Sequence, residues 1–297
     1  GFDSTIECTF DLQAKEAYLV PAGPLPASMV GERPTALASL PTIQGPAALL
    51  LSQDVLRSLD VRSPELPEIL DEALLAQGTA SGLAVRGVSI AFVSLLQRSG
   101  QDVQAVGISD RGNLALSESI SVPGQAGRHV AYWRGGRLYL AKAGQIQVVD
   151  LSRREGPVPI GHVNPGGEIT CMATHGDRLY VCTVDRRLNV YSLDRKLGER
   201  LEQEVSLDKV GVAVKVHGGT VHVSGLSMAE YRKCSQQGSC TSDGAVTVLR
   251  HDEAGALTAV GGYPVGEQSL TGLVLSGASA MRIVDQEVVL YRVESAP

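Results

Sequence analysis

Large aromatic side chains are scarce in this chain, with three Phe and one Trp among 297 residues. Its core then has to be filled by aliphatic and β-branched residues. No apolar run approaches the ~18 residues that a membrane-spanning helix needs. The longest, residues 47–51, is the size of a strand. Basic charge is also short, with 26 Lys and Arg against 32 Asp and Glu, a formal charge of −6. Nucleic-acid binding needs a basic face, so nucleic acid is not the expected partner. Glycine is abundant, at 33 of 297 residues against a usual share of about 7%. Hydrophobic residues at 43% and charged residues at 20% mark a folded chain with a real core. Many turns joining thin aliphatic strands are the expected result.

The chain repeats itself. Residues 128–150, RHVAYWRGGRLYLAKAGQIQVVD, read as strand, Gly turn, strand, Gly turn, strand, and residues 38–60 align to them without a gap. The first-turn glycine recurs as Gly45, Gly87, Gly135, Gly176, Gly218 and Gly277, at spacings of 42, 48, 41, 42 and 59. A period of about 40–45 residues carrying four short strands is a propeller signature. A lone sheet of this kind cannot bury both faces, whereas blades packed side by side can. The sequence therefore predicts an all-β, six-bladed β-propeller of four-stranded antiparallel blades. The last unit reaches the end of the chain after three strands, so its fourth must come from segment 1–34, with the propeller proper at 35–297 in a single domain. Residues 17–22 are the favoured closing strand over residues 5–12, and the Pro/Gly-rich stretch 22–34 reads as the connector. Residues 65–77, ELPEILDEALLAQ, have helical character, but register with the other units makes them a fourth strand.

Five cysteines are present: Cys8, Cys171, Cys182, Cys234 and Cys240. Cys234 and Cys240 flank a polar stretch and are expected to close a short disulfide, worth about 2 kcal/mol by chain entropy. Cys171 and Cys182 fall directly opposite each other if Gly176-Asp177 is a two-residue turn. A separation of about 5.5 Å there permits a bond, but the pair reads as small buried apolar side chains. Cys8 is left over. The expected Cys234–Cys240 bond favours an oxidising compartment. Gly1 reads as a processing or tag scar, with a signal segment expected to have been removed.

The segments VLRSLDVRSPELPEILDEALL and IQVVDLSRREGPVPIGHV resemble the LVIVD repeat of bacterial surface and secreted propellers. Asp60 and Asp150 match the Asp of that motif, while Gly107, Ser192, Arg250 and Arg292 stand in the equivalent place of the other units. The resemblance implies a propeller and an extracytoplasmic location, and little about chemistry. Other propeller classes fit less well. With Trp133 the only tryptophan, repeats built on a Trp-Asp pair or on a Trp-docking motif in most blades do not fit. Of the paired glycines of kelch repeats, only Gly135-Gly136 and Gly218-Gly219 stand in the matching turn.

In propellers the first strand of each blade lines the channel, and the fourth-to-first and second-to-third connections share one rim. The first strands here begin at Thr35, Ser81, Arg128, Glu168, Lys209 and Gln268, with Asp208 and Glu267 adjacent. A metal-assisted hydrolase or lactonase, with Ca²⁺ in the channel, would need Glu168, Asp208 and Glu267 to converge. The second-to-third connections are expected to carry Asp54, Asp102, Asp185, Asp243 and Asp285 as turn-closing residues. Of the histidines, His175, His217 and His222 read as surface hairpin residues, with His217 facing His222 across Gly218-Gly219. No histidine pair has zinc-ligand spacing.

The strongest candidate is the insertion at residues 228–243, MAEYRKCSQQGSCTSD, which interrupts the fifth unit on the presumed binding rim. It carries Tyr231, Arg232 and Lys233, and Tyr and Arg are preferred anchors in interfaces. With Arg128 and Glu168 on the rim, these residues define the expected binding surface. The function expected is an extracytoplasmic binding module for an unknown protein or small ligand, with no catalytic set and no cofactor. The calcium-dependent hydrolase is the alternative.

Overall fold

In a computed structural model, the protein is described over residues 17–295 except 77, 98–99, 124–128, 143, 154–156, 218, 238–244, 253–254, 265–273, 277–278 and 285–286. Six four-stranded antiparallel sheets form a ring, a six-bladed β-propeller. Strand β1 (Ala17–Pro24) and the short helix α1 (Ala27–Val30) precede the first blade. Blade 1 comprises β2 (Pro34–Thr42), β3 (Gly45–Ser52), β4 (Val55–Asp60) and β5 (Glu68–Leu74). Blade 2 comprises β6 (Thr79–Arg86), β7 (Ile90–Gln97), β8 (Gly100–Ile108) and β9 (Leu114–Pro123). Blade 3 is β10 (Val130–Trp133), β11 (Arg137–Lys142), β12 (Gln145–Asp150) and β13 (Val158–Val163). Blade 4 is β14 (Ile169–His175), β15 (Arg178–Thr183), β16 (Arg187–Asp194) and β17 (Gly198–Ser206). Blade 5 runs β18 (Val210–His217), β19 (Thr220–Leu226), helix α2 (Met228–Gln237), β20 (Ala245–His251) and β21 (Leu257–Pro264). Blade 6 has β22 (Val274–Ser276), β23 (Ser279–Val284) and β24 (Glu287–Ser295).

The sixth blade takes its fourth strand from the chain start. Ala17 pairs with Ser295 and Val20 with Arg292. Residues 5–12 lie outside the described residues. The stretch with helical character is strand β5, paired from Val55–Leu74 to Asp60–Glu68. Its side chains answer to neighbours along β4 rather than to a helix period, so tertiary context overrides propensity.

Each fourth strand carries a register shift against the third. The extra residue is Leu70 in β5, Ile160 in β13, Glu202 in β17, Val260 in β21 and Ala22 in β1. Blade 2 shifts between Gln104 and Val106. Bulges on outer strands bend and twist an edge that would otherwise invite another strand.

Seams between blades hold the core. Leu49 and Leu51 pack with Val93 and Leu95 across the first seam. Phe92 meets Leu138 and Leu140 across the second. Tyr139 lies with Leu179 and Val181, and Tyr180 with Val221 and Val223, across the next two. Met281 closes the circle against Ala48 and Leu50.

The third seam also carries a polar staple. Arg137 donates to Glu199 Oε1 at 2.8 Å and to the carbonyls of Asp194 and Arg195 at 3.0 and 2.8 Å. Tyr139 donates its hydroxyl to the same carboxylate oxygen at 2.9 Å, and burial is the main cause pushing its phenol upward. Arg137 also lies 5.6 Å from the centre of the Trp133 ring. Trp133 folds over Gly135, where an added Cβ would meet the ring at 2.1 Å, so this hairpin requires glycine.

The Arg137 and Glu199 side chains are only 10% and 12% exposed. Glu199→Ala, which leaves the guanidinium buried without its carboxylate, is expected to cost about 3–5 kcal/mol. Arg137→Met/Glu199→Leu together should recover most of that loss in urea unfolding. Equal losses in the single and double variants would show that the pair is not acting as a unit.

Candidate functional site

Backbone hydrogen bonds assemble one rim. Where blade 1 meets blade 2, Ala80 N–H of β6 bonds the carbonyl of Gln53 at 2.7 Å and Leu75 N–H that of Asp54 at 2.8 Å. In blade 4, Val184 N–H bonds the carbonyl of Glu168 at 2.9 Å. The second-to-third turns and the fourth-to-first connections therefore lie on the same side. The innermost strands bulge as they leave this rim, with the extra residues Thr35, Ser81, Thr170 and Val212. Thr170 spans to the next blade, donating to the carbonyl of Gly211 at 2.5 Å.

Insertion 228–243 begins as a ten-residue helix, α2. The cause is local. Ser227 Oγ accepts from Glu230 N–H at 3.3 Å, and Glu230 Oε2 accepts from Ser227 N–H at 2.8 Å. This is a capping box, in which two otherwise orphaned helix donors are satisfied reciprocally. The same hydrogen bonds hold the Glu230 carboxyl below its ordinary value, with Lys209 contributing. The sequence carries this signal as Ser-x-x-Glu at 227–230, but the surrounding strand repeat masks it and gives the segment the look of a loop expansion.

From α2, Tyr231 donates its hydroxyl to Glu168 Oε1 at 3.3 Å, so the helix of blade 5 reaches the start of the inner strand of blade 4. Tyr231 is half-buried, while Arg232, Lys233, Glu168 and Asp208 are exposed. Two of the expected binding residues, Tyr231 and Glu168, are thus in contact. Arg128, Gln268 and Glu267 lie outside the described residues. Among the described residues no group of three His, Cys, Asp or Glu is placed to hold a metal ion.

Several placements differ from expectation. Cys171 and Cys182 form a disulfide with a Cα–Cα distance of 5.0 Å rather than standing as two apolar side chains. Their register is the expected one, His175 opposite Arg178 and Cys171 opposite Cys182, and it brings both sulfurs to one face of adjacent strands. Cys234 is also disulfide-bonded; its expected partner Cys240, like Cys8, lies outside the described residues. Asp102 sits within β8 opposite Leu95, not in a connection, because strand pairing already begins at Gln97 with Gly100. Asp54 and Asp185 do lie in second-to-third turns, while Asp243 and Asp285 are outside the described residues. His222 is buried at 2% exposure and pairs with Lys215, whereas His217 pairs with Thr220. His222 is therefore not a surface hairpin histidine.

Asp60 and Asp150 end their third strands and accept backbone N–H groups two residues on, from Arg62 and Ser152, each at 2.9 Å. Two blades that lack Asp at that place have it two residues later. Asp194 accepts from Lys196 at 2.6 Å and Leu197 at 2.8 Å, and Asp252 from Ala256 at 2.8 Å. Hydrogen bonds hold the Asp60, Asp150 and Asp194 carboxyls below their ordinary value, led respectively by the Arg62 side chain, the Ser152 hydroxyl and the Leu197 N–H.

These features define a six-bladed propeller with one helical insertion on its rim. No family model and no curated protein matches the chain. Solved structures do. A functionally unknown protein from Desulfotomaculum acetoxidans superposes with a TM-score of 0.63 at 13% identity, covering 86% of this chain and 80% of that one. A Lactobacillus plantarum protein gives 0.56 at 15%, covering 89% and 76%. The PQQ-bound aldose sugar dehydrogenase from Streptomyces coelicolor gives 0.53 at 12%, covering 94% and 99%. At such identities the likeness is one of fold.

Lys215, on the inner strand of blade 5, is half-buried, and burial pulls its amine down to about 8. A lysine lowered from its unfolded value of about 10.4 costs stability while both states are protonated, below pH 8. That cost fades as pH rises through the window between 8 and the unfolded value. Lys215→Met is therefore expected to be more stable than wild type at pH 7, with the difference shrinking by pH 10 in urea titrations. A difference that does not change with pH would show that the amine keeps its ordinary titration.

Proposed function

We propose that this chain is an extracytoplasmic binding module whose recognition surface is the rim around α2. The observation that carries the reading is the helix itself. It interrupts one blade, is capped by Ser227 and Glu230, and is tied to blade 4 by Tyr231 on Glu168. A pre-organised helix loses little conformational freedom on binding. Its exposed Arg232 and Lys233 suit an acidic patch on a protein or an anionic small ligand. An oxidising compartment agrees with the Cys171–Cys182 bond and with the bonded state of Cys234, since such bonds persist outside the reducing cytosol. An LVIVD-type repeat agrees with the turn-closing work of Asp60 and Asp150.

The variant Tyr231→Ala/Arg232→Ala/Lys233→Ala is expected to keep the wild-type melting midpoint and to lose at least tenfold in affinity for the species the wild type retains from an envelope extract. Undiminished retention by the variant would sink the rim as the recognition surface. The calcium-dependent hydrolase, built on Glu168, Asp208 and Glu267, separates in a melt with calcium against EDTA. An ion bound only by the native state raises the midpoint by mass action. A calcium-specific rise would move the reading to that alternative, and an unchanged midpoint would leave the rim reading in place.

A further inference from the structure

The register equates positions between blades, and blade 4 departs from blade 1 at one buried corner. In blade 1 the inner strand starts with Pro34 opposite Ser52, and Arg57 stands opposite Leu50. In blade 4 the same places hold Ile169 opposite Thr183, and Asn189 opposite Val181. Val30 and Pro165 each lie four residues before the inner strand, in the segments that lead into the two blades. In blade 1 two side chains converge on one carbonyl, since Ser52 Oγ and Arg57 Nη1 both donate to that of Val30. Blade 4 makes one of the two bonds. Asn189 Nδ2 donates to the carbonyl of Pro165 at 2.9 Å, while Thr183 Oγ1 and Asn189 Oδ1 are buried with no hydrogen-bond partner in the protein. In blades 2 and 3 the equivalent residues, Gln104 and Gln147, instead donate to the carbonyls of Ser117 and Gly161 on their own fourth strands.

Both orphaned oxygens lie on the face of blade 4 that packs on blade 3. Thr183 follows Val181 by two residues on β15. Asn189 lies opposite Val181 and two residues before Tyr191. Val181 and Tyr191 belong to the cluster that holds Tyr139 of blade 3. Thr183 is 0% exposed and Asn189 1%. Thr183 pairs with Arg187, so Asn189, two residues on, is its diagonal neighbour on that face. Such neighbours stand about 7–8 Å apart, a span that one water crosses with a hydrogen bond of about 2.8 Å on either side. We propose that this corner of the seam between blades 3 and 4 is a binding site for a single buried water molecule, held between Thr183 Oγ1 and Asn189 Oδ1 beside the carbonyl of Pro165.

The donors and acceptors match. The bond to Pro165 fixes which end of the Asn189 amide is oxygen, because a carbonyl cannot donate to a carbonyl. That oxygen only accepts, whereas the Thr183 hydroxyl has a proton to give. A water between them accepts from Thr183 and donates to Asn189. Its second proton goes to the remaining lone pair of the Pro165 carbonyl. Three hydrogen bonds are usual for a buried water. An unpaired buried oxygen is costly, and this corner holds two on one face. Size separates the two blades. Where Arg57 sends a long guanidinium into the corner, Asn189 sends a short amide, and a water takes up the difference. The segment braced in this way runs on from Pro165 to Glu168, which accepts from Tyr231. The site stands whether or not the rim at α2 is a recognition surface.

A high-resolution crystal structure of the wild-type protein tests the site without any variant. It is expected to show one peak within about 2.5–3.0 Å of both Thr183 Oγ1 and Asn189 Oδ1. In solution, magnetic relaxation dispersion of the water oxygen counts the waters held for longer than the protein takes to tumble. Thr183→Val keeps the outline of the side chain and removes its hydroxyl, so this variant should hold one such water fewer than the wild type. Three results would overturn the site. One is a Thr183 hydroxyl bonded directly to Pro165 or Asn189 with no peak between them. Another is a peak with the shorter contacts and fuller oxygen shell of a metal ion. The third is an equal count of long-lived waters in the wild type and in Thr183→Val.

Discussion

Pairing of β1 with β24 is the interaction on which the rest of the structure depends. Without it the sixth blade has three strands and an open edge, and the seam of Met281 against Ala48 and Leu50 loses its outer support. The pairing does more than fill a gap. Its one register shift, at Ala22, falls where the other five blades shift between third and fourth strands. A strand recruited from the far end of the chain thus follows the same local rule as strands supplied by their own unit. Closure lets each blade bury both faces against neighbours, and it fixes which residues face which across every seam.

That fixed layout explains how much could be read in advance. Blade number, strand order and the closing strand follow from a period of glycine turns and from counting strands to residue 297. Turn residues and β-alternation are local, so the sequence carries them openly. The Cys171–Cys182 register was legible for the same reason, because it needs only the position of one tight turn. Whether two opposed thiols bond is not a matter of spacing alone, so the Cys171–Cys182 bond itself does not follow from the register.

The site was less legible because its parts are distant in sequence or masked by the repeat. Ser227 and Glu230 spell a helix start, yet they sit inside a stretch whose surroundings are all strand. Tyr231 and Glu168 are 63 residues apart and meet only because adjacent blades stack. Thr183 and Asn189 look like ordinary strand residues until their equivalents in blade 1, Ser52 and Arg57, prove to share one carbonyl. The informative comparison there is between blades, position by position, and the register that allows it emerges only with strand pairing. Asp194 and Asp252 illustrate the same point. They close the same turn as Asp60 and Asp150, but two residues later, so a fixed motif misses them.

Ring closure also sets the order of events as the chain is made. β1 emerges before every other described strand, and its partner β24 emerges after all of them. Until residues 287–295 are available, the first strand has no native edge to join. The most sequence-distant pairing cannot form before then, a topology that slows folding and leaves unpaired edges exposed in the meantime. A chain of this kind reaches its native ring only as a whole, and removing either end would open it.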